Sequence, residues 1–238
     1  MARQETQVDV DSIVGDLLAD LPSNADTEVT LPSGGTAKIK PITFEEEKQM
    51  ITLAKKGEDP SILLIDKCVS NIDPSKVLLI DKIYLLFKLR ELSFGSVYSF
   101  RVSCPACRTQ QQLNVDIDQM PVMSLEDNSA VTEIELPMCK KTVSVRRASI
   151  ADEHMASDTV QLLENLWRFV PVFGGNEDPM VIQAVLSKLP AGDVNRIIST
   201  IMCEGYGLST DVMVRCTNCG TESKMELPLD KNFFSVTS

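Results

Sequence analysis

Residues 102–119 read VSCPACRTQQQLNVDIDQ, and residues 214–231 read VRCTNCGTESKMELPLDK. The second stretch repeats the first at an offset of 112. Val102 and Val214, Cys104 and Cys216, Cys107 and Cys219, and Thr109 and Thr221 fall in register. So do Leu113 and Met225, Val115 and Leu227, Ile117 and Leu229, and Asp118 and Asp230. Apolar and polar residues alternate on both sides of each CxxC, which is the period of a β-strand. The expected unit is a two-stranded β-ribbon with a two-cysteine knuckle at its tip.

Upstream of the first knuckle, EVTLPSGGTAKIKPIT reads as a hairpin turning at Ser33-Gly34-Gly35. Thr43 is placed to cap a helix, with Glu46 three residues on as its capping-box partner. That helix is expected to stop at Gly57. A second follows Asp59-Pro60, carrying Ile62, Leu63, Ile65 and Val69. A break at 70–74 precedes a third, predicted over 75–91 and apolar on more than one face, as a central helix would be. After a linker the same order returns. IELPMCKKTVSVRR reads as a hairpin, with Leu136-Pro137 standing where Leu31-Pro32 stood. Ser149 is the next N-cap, opening a helix with Met155, Val160, Leu163 and Leu166. Short helices are expected at Pro179–Leu186 and 193–203, and STDVMVR leads into Cys216. The expected fold class is α+β, with internally duplicated helical units, β-hairpins and two CxxC knuckles meeting at one zinc. The expected organisation is an arm over 1–28, a first half over 29–120, a linker over 121–135 and a second half over 136–232.

Four thiolates suit a closed tetrahedral zinc. The arrangement CxxC–x108–CxxC is far longer than an ordinary zinc ribbon. Duplication explains the gap if each half supplies one knuckle. Closing so long a loop costs little more than closing a short one, because the entropy grows only with the logarithm of length. Cys104, Cys107, Cys216 and Cys219 are therefore the expected ligands of one structural zinc ion. Other readings of the cysteines stay open: a redox pair, an iron–sulfur cluster, or knuckles that have lost their metal. A redox CxxC ordinarily opens a helix, whereas strand patterns flank both motifs here. Cys68 and Cys203 lie in apolar helical patterns and are expected to be buried, and Cys139 falls in a hairpin turn.

Composition narrows the function. Apolar residues make up 43% of the 238, a globular value. The net charge of −11 opposes electrostatic binding to nucleic acid and to anionic membranes. No apolar run is long enough to span a bilayer. MARQETQVDVDSIVGD lacks a signal-peptide core, so synthesis in a reducing cytoplasm is expected, where seven cysteines favour thiols or metal over disulfides. His154 is the only histidine and sits among acids, as a surface residue would. Glu45-Glu46-Glu47 suits a helix start, and Phe173-Gly174-Gly175-Asn176 has no Walker lysine. No nucleophile elbow, dinucleotide fingerprint or HExxH is present. No enzymatic activity is expected. Near the start, VDSIVGDLLADLP spaces Ile13, Val14, Leu17, Leu18 and Leu21 as one helix face before Pro22. It reads either as a frayed terminus or as a helix that docks on a partner.

Residues 38–48, KIKPITFEEEK, resemble the opening block of the baseplate hub protein family of T-even-type contractile-tail bacteriophages. IYLLFKL at 83–89, followed by Arg90, Gly95 and the strand into Cys104-Pro-Ala-Cys107, is similar to the family's second block. The likeness covers 29–120 well and 136–231 more thinly, since 146–153 lacks the proline and the Glu-Glu-Lys triplet. It implies a non-enzymatic structural subunit of the tail baseplate, present in several copies in the virion. Its partners would be other phage baseplate and tail proteins, with no nucleic acid and no membrane. Segment 10–22 and the loops at Pro41 and Phe173 are candidate contacts. A transient tail-assembly chaperone, absent from the finished particle, is the alternative. A zinc-ribbon regulator binding nucleic acid is a third reading, and Arg101, Arg108, Arg215 and Lys224 are sparse support for it.

Overall fold

The computed structural model describes residues 9–18, 26–229 and 233–234. Leu21, Pro22 and Asp230 lie outside the described residues. Helix α1 (Val10–Leu18) leaves Ile13, Val14 and Leu17 exposed. Strands β1 (Thr27–Thr30) and β2 (Thr36–Ile39) form the first hairpin, with Gly34 at φ 93° in its turn. Helix α2 (Phe44–Lys56) carries the expected capping box: the Thr43 N–H donates to Glu46 at 2.6 Å. Gly57, at φ 76°, ends it with a left-handed cap. Helix α3 (Ser61–Cys68) runs into β3 (Val69–Ser70), which adds a third strand to the first hairpin.

The central helix α4 (Leu79–Phe94) starts later and ends later than the 75–91 expected. Only a short 3-10 turn, Pro74–Lys76, forms at the early end. Val77 and Leu78 stay extended because they bond across to the second half. The Ile150 N–H donates to Val77 O at 2.8 Å, and the Leu79 N–H donates to Ala148 O at 3.1 Å. Strands β4 (Val97–Ser103) and β5 (Gln110–Asp116) then make the first ribbon.

The stretch expected to be a linker holds structure. Strand β6 (Val122–Met123) lies within it, and β7 (Val131–Glu135) pairs with β8 (Thr142–Arg146) as the second hairpin. Ser149 and Asp152 form a second capping box. The single helix expected after Ser149 is broken into α5 (Glu153–Ala156), α6 (Thr159–Glu164) and a 3-10 turn at Leu166–Phe169. The Asp158 carboxylate restarts the helix by accepting the Gln161 N–H at 2.8 Å. Strand β9 (Val172–Phe173) joins β8, repeating the three-stranded order of the first half. Helices α7 (Pro179–Leu186) and α8 (Ala191–Ile201) follow. Strand β10 (Gly207–Leu208) pairs with β6, and β11 (Asp211–Arg215) with β12 (Glu222–Glu226). Every strand pairing among the described residues is antiparallel, so helix and sheet combine in the α+β manner.

Each half has its own core. Leu64, Ile65, Leu85 and Leu89 centre the first, and Leu136, Phe169, Ile197 and Ile201 the second. A third cluster joins them, where Phe87, Tyr98 and Phe100 meet Leu227 and Phe233 beneath the ribbons. Phe233 is fully buried, 4.8 Å from the Phe87 ring and 5.1 Å from Tyr98. Lys82 is a further tie. Its side chain is 5% exposed, and its ammonium bonds Glu153 of the second half at 2.6 Å and Asp59 at 3.0 Å.

Candidate metal centre

At each ribbon tip, the turn follows from the same backbone bonds. The Cys104 N–H donates to Thr109 O and the Arg108 N–H to Cys104 O, both at 2.9 Å. In the second ribbon, the Cys216 N–H donates to Thr221 O at 2.9 Å and the Gly220 N–H to Cys216 O at 3.0 Å. Arg108 and Gly220 hold the same left-handed position, at φ 61° and 72°. A CxxC in this turn aims both sulfurs off one end of the ribbon, away from the strands.

The two tips face each other. The four sulfurs of Cys104, Cys107, Cys216 and Cys219 all lie within 4.8 Å of one another and could hold a metal ion. Cys104 Sγ is 3.7 Å from Cys219 Sγ, and Cys107 Sγ is 3.6 Å from Cys216 Sγ. These are not disulfides, which need about 2.05 Å. A tetrahedral metal with sulfur bonds of about 2.3 Å sets its sulfurs about 3.8 Å apart, close to these separations. Cys104 and Cys216 are buried, whereas Cys107 is half-buried and Cys219 exposed.

Electrostatics favour a cation here. The Thr109 hydroxyl and N–H, with the Asn218 amide, hold the Cys107 thiol down at about 5. Cys219 is lowered in the same way by the hydroxyl and N–H of Thr221. Cys104 is raised: the Cys107 and Ala106 N–H groups favour its thiolate, but burial and the crowding sulfurs of Cys216 and Cys219 outweigh them. Four sulfurs this close cannot all ionise without a positive charge among them, and a divalent ion removes that conflict.

The sequence did not reveal the polar seam between the tips. Gln111 of the first ribbon accepts the Thr217 N–H at 3.0 Å and reaches Arg215 O at 3.4 Å. Asn218 Nδ2 lies 3.6 Å from Cys107 Sγ. Neither contact has a signal in the linear pattern, because each depends on how the ribbons meet. The chain holds a third copy of the knuckle turn. In the second hairpin, the Leu136 N–H donates to Lys141 O at 2.9 Å and the Lys140 N–H to Leu136 O at 3.1 Å, with Lys140 at φ 54°. Leu136 replaces the first cysteine and is buried, and Cys139 is a free thiol. The inward N–H groups of Met138 and Cys139 instead donate to the buried Asp193 carboxylate at 2.7 and 3.0 Å. Leu136-Pro-Met-Cys139 could have been aligned with Cys104-Pro-Ala-Cys107 from the sequence.

The remaining candidates lie apart from the cluster. Burial pushes the Cys68 thiol up to about 12 and Cys203 to about 11, as small buried hydrophobes. His154 is exposed.

The model of one protein family, described as T4 bacteriophage base plate protein, matches residues 24–234. The chain belongs to that family. The match runs through both halves and both knuckles, including 136–231, where the likeness of motifs was thin. Membership gives this baseplate protein a structural role in the phage tail, among other tail proteins. Searches of curated proteins and of solved structures each return no significant match. Among the described residues of the baseplate protein, no helix is long and apolar enough to cross a membrane.

Proposed function

We propose that this chain is a zinc-clasped, non-enzymatic structural subunit of the hub region of the baseplate, binding other tail proteins. Its two halves arose by internal duplication, and each contributes one knuckle to a single zinc ion. The convergence of four sulfurs from ribbons more than a hundred residues apart carries this reading. Cys104, Cys107, Cys216 and Cys219 would hold the ion, which would supply positive charge and a fixed link but no open coordination position for chemistry.

Duplication has support beyond the knuckles. The three-stranded sheets have the same strand order. Lys40, Thr43 and Glu46 stand at the same spacing as Arg146, Ser149 and Asp152, and each trio joins a basic residue to its capping-box acid. A rigid, metal-tied body without a catalytic constellation suits a part that transmits force and holds neighbours in place.

Cross-linking mass spectrometry on purified virions tests the assignment. Cross-links between this chain and central baseplate proteins are expected. A chain abundant in infected cells but missing from virions would make it an assembly factor instead.

A further inference from the structure

The four sulfurs differ in their access to solvent. Cys104 and Cys216 are buried, Cys107 is half-buried and Cys219 is exposed. Each accessible sulfur lies against a buried one from the other ribbon. Cys219 faces Cys104 at 3.7 Å, and Cys107 faces Cys216 at 3.6 Å. The polar seam holds the tips in this pairing, through Gln111 to the Thr217 N–H at 3.0 Å and Asn218 to Cys107 at 3.6 Å. Cys68, Cys139 and Cys203 lie outside the cluster.

This pairing suits thiol oxidation. An oxidant meets the accessible sulfur first, and a buried partner stands ready to attack the product. Each cross-ribbon pair needs to close by only about 1.6 Å to reach the disulfide length of about 2.05 Å. Inside one CxxC, both cysteines belong to a single turn held by its own backbone bonds, from Cys104 N–H to Thr109 O and from Arg108 N–H to Cys104 O in the first ribbon. A bond there would have to be accommodated by that turn alone. A bond across the seam can draw on movement of one tip against the other. A tail subunit, moreover, leaves the reducing cytoplasm with the virion.

We infer that Cys104–Cys219 and Cys107–Cys216 form a second, covalent clasp when a hydroperoxide oxidises the site and the zinc leaves. The displacement rests on the zinc-clasped reading, whereas the pairing rests on the sulfur positions. At each pair, the accessible thiolate attacks one peroxide oxygen. The O–O bond breaks, leaving a sulfenic acid and hydroxide. The buried thiolate then attacks the sulfenic sulfur, so that the S–S bond forms and the S–O bond breaks with loss of a second hydroxide. Solvent supplies protons to both hydroxides. The two sulfurs give up two electrons, and one peroxide takes them. Disulfide sulfur is a poor ligand, so the ion is released. The halves stay tied, because the new bonds close the same loops of 115 and 109 residues.

Hydrogen peroxide added to the zinc-loaded full chain tests this, with zinc release followed by a chromogenic chelator and disulfides mapped by non-reducing peptide mass spectrometry. Zinc should be released as peptides joined Cys104–Cys219 and Cys107–Cys216 appear, and reductant with added zinc should reverse both. The oxidised, metal-free chain should melt close to the zinc form and well above the chain stripped by chelator in reductant. Cys219→Ser should still form Cys107–Cys216 and leave Cys104 free. Bonds within one CxxC, sulfonic acids in place of disulfides, or zinc retained through oxidation would overturn the inference and leave the zinc-clasped reading standing. A chain isolated without zinc would fail earlier, at the metal assay, and would sink that reading and the displacement together.

Discussion

Replacing Cys216 by Ser removes one sulfur from the cluster while changing almost no volume. Serine is a poor ligand for a thiophilic ion, so the clasp between Cys107 and Cys216 should open. That link closes a loop of 109 residues. Cross-linking a loop of that size removes unfolded-chain entropy equivalent to about 5 kcal/mol at 25 °C. The figure is an upper bound, because Lys82–Glu153 and the Phe233 cluster still join the halves. For a chain this long, each kcal/mol moves the melting temperature by about 2–4 °C, so a clear fall of at most roughly 10–20 °C is expected in calorimetry. A strong chelator should lower wild type by a similar amount and leave Cys216→Ser almost unmoved. Cys139→Ser, at a knuckle turn whose anion is Asp193, should keep the metal and melt near wild type. If Cys216→Ser melts with wild type while wild type holds its full metal, the ion does not tie the halves together, and the entropy argument is wrong.

Other contacts give separate tests. Lys82→Met leaves Glu153 and Asp59 without their shared cation; urea melts should show a loss of about 2–4 kcal/mol, and adding Glu153→Leu should recover part of it. Phe233→Ala empties the aromatic seal and should lose about 3–5 kcal/mol by the same assay, with metal content unchanged. Asp152 is opposed by burial, but the Arg146 guanidinium with the Ser149 N–H and hydroxyl holds it at about 2, below the ordinary 3.8. Its stabilising contribution is therefore complete above about pH 4 and is lost as pH falls toward 2. Asp152→Asn should cost about 1–2 kcal/mol at pH 7, allowing for screening of the partly exposed arginine. Acid titration of both proteins should show that gap closing across this window.

The parts of the fold set by neighbouring residues were readable in the sequence. The capping box at Thr43, the stop at Gly57, the ribbon strands and the knuckle turns all depend on residues a few positions apart. Cys68 and Cys203 are buried as the apolar periodicity around them suggested, although Cys203 lies beyond the end of α8, in a left-handed turn at φ 51°, and not inside the helix expected over 193–203. What escaped depends on contacts between the halves. The start of α4 moved to Leu79 because Val77 and Leu79 bond to Ile150 and Ala148. Strands β3, β6, β9 and β10 are two residues each, too short to show a period, and exist only because a neighbouring strand receives them. The broken helix after Ser149 did leave a local mark, since Ser157-Asp158-Thr159 is itself an N-cap signal. Of the candidate centre, the four cysteines were visible by their spacing, but Gln111 and Asn218 were not, because their partners lie more than a hundred positions away.

The central claim concerns one ion and four sulfurs. Elemental analysis of the natively purified protein, combined with X-ray absorption at the zinc edge, addresses it directly. The expected result is one zinc per chain with four sulfur neighbours at about 2.3 Å. Protein that folds and assembles with no bound metal, or zinc surrounded mainly by oxygen or nitrogen, would contradict it.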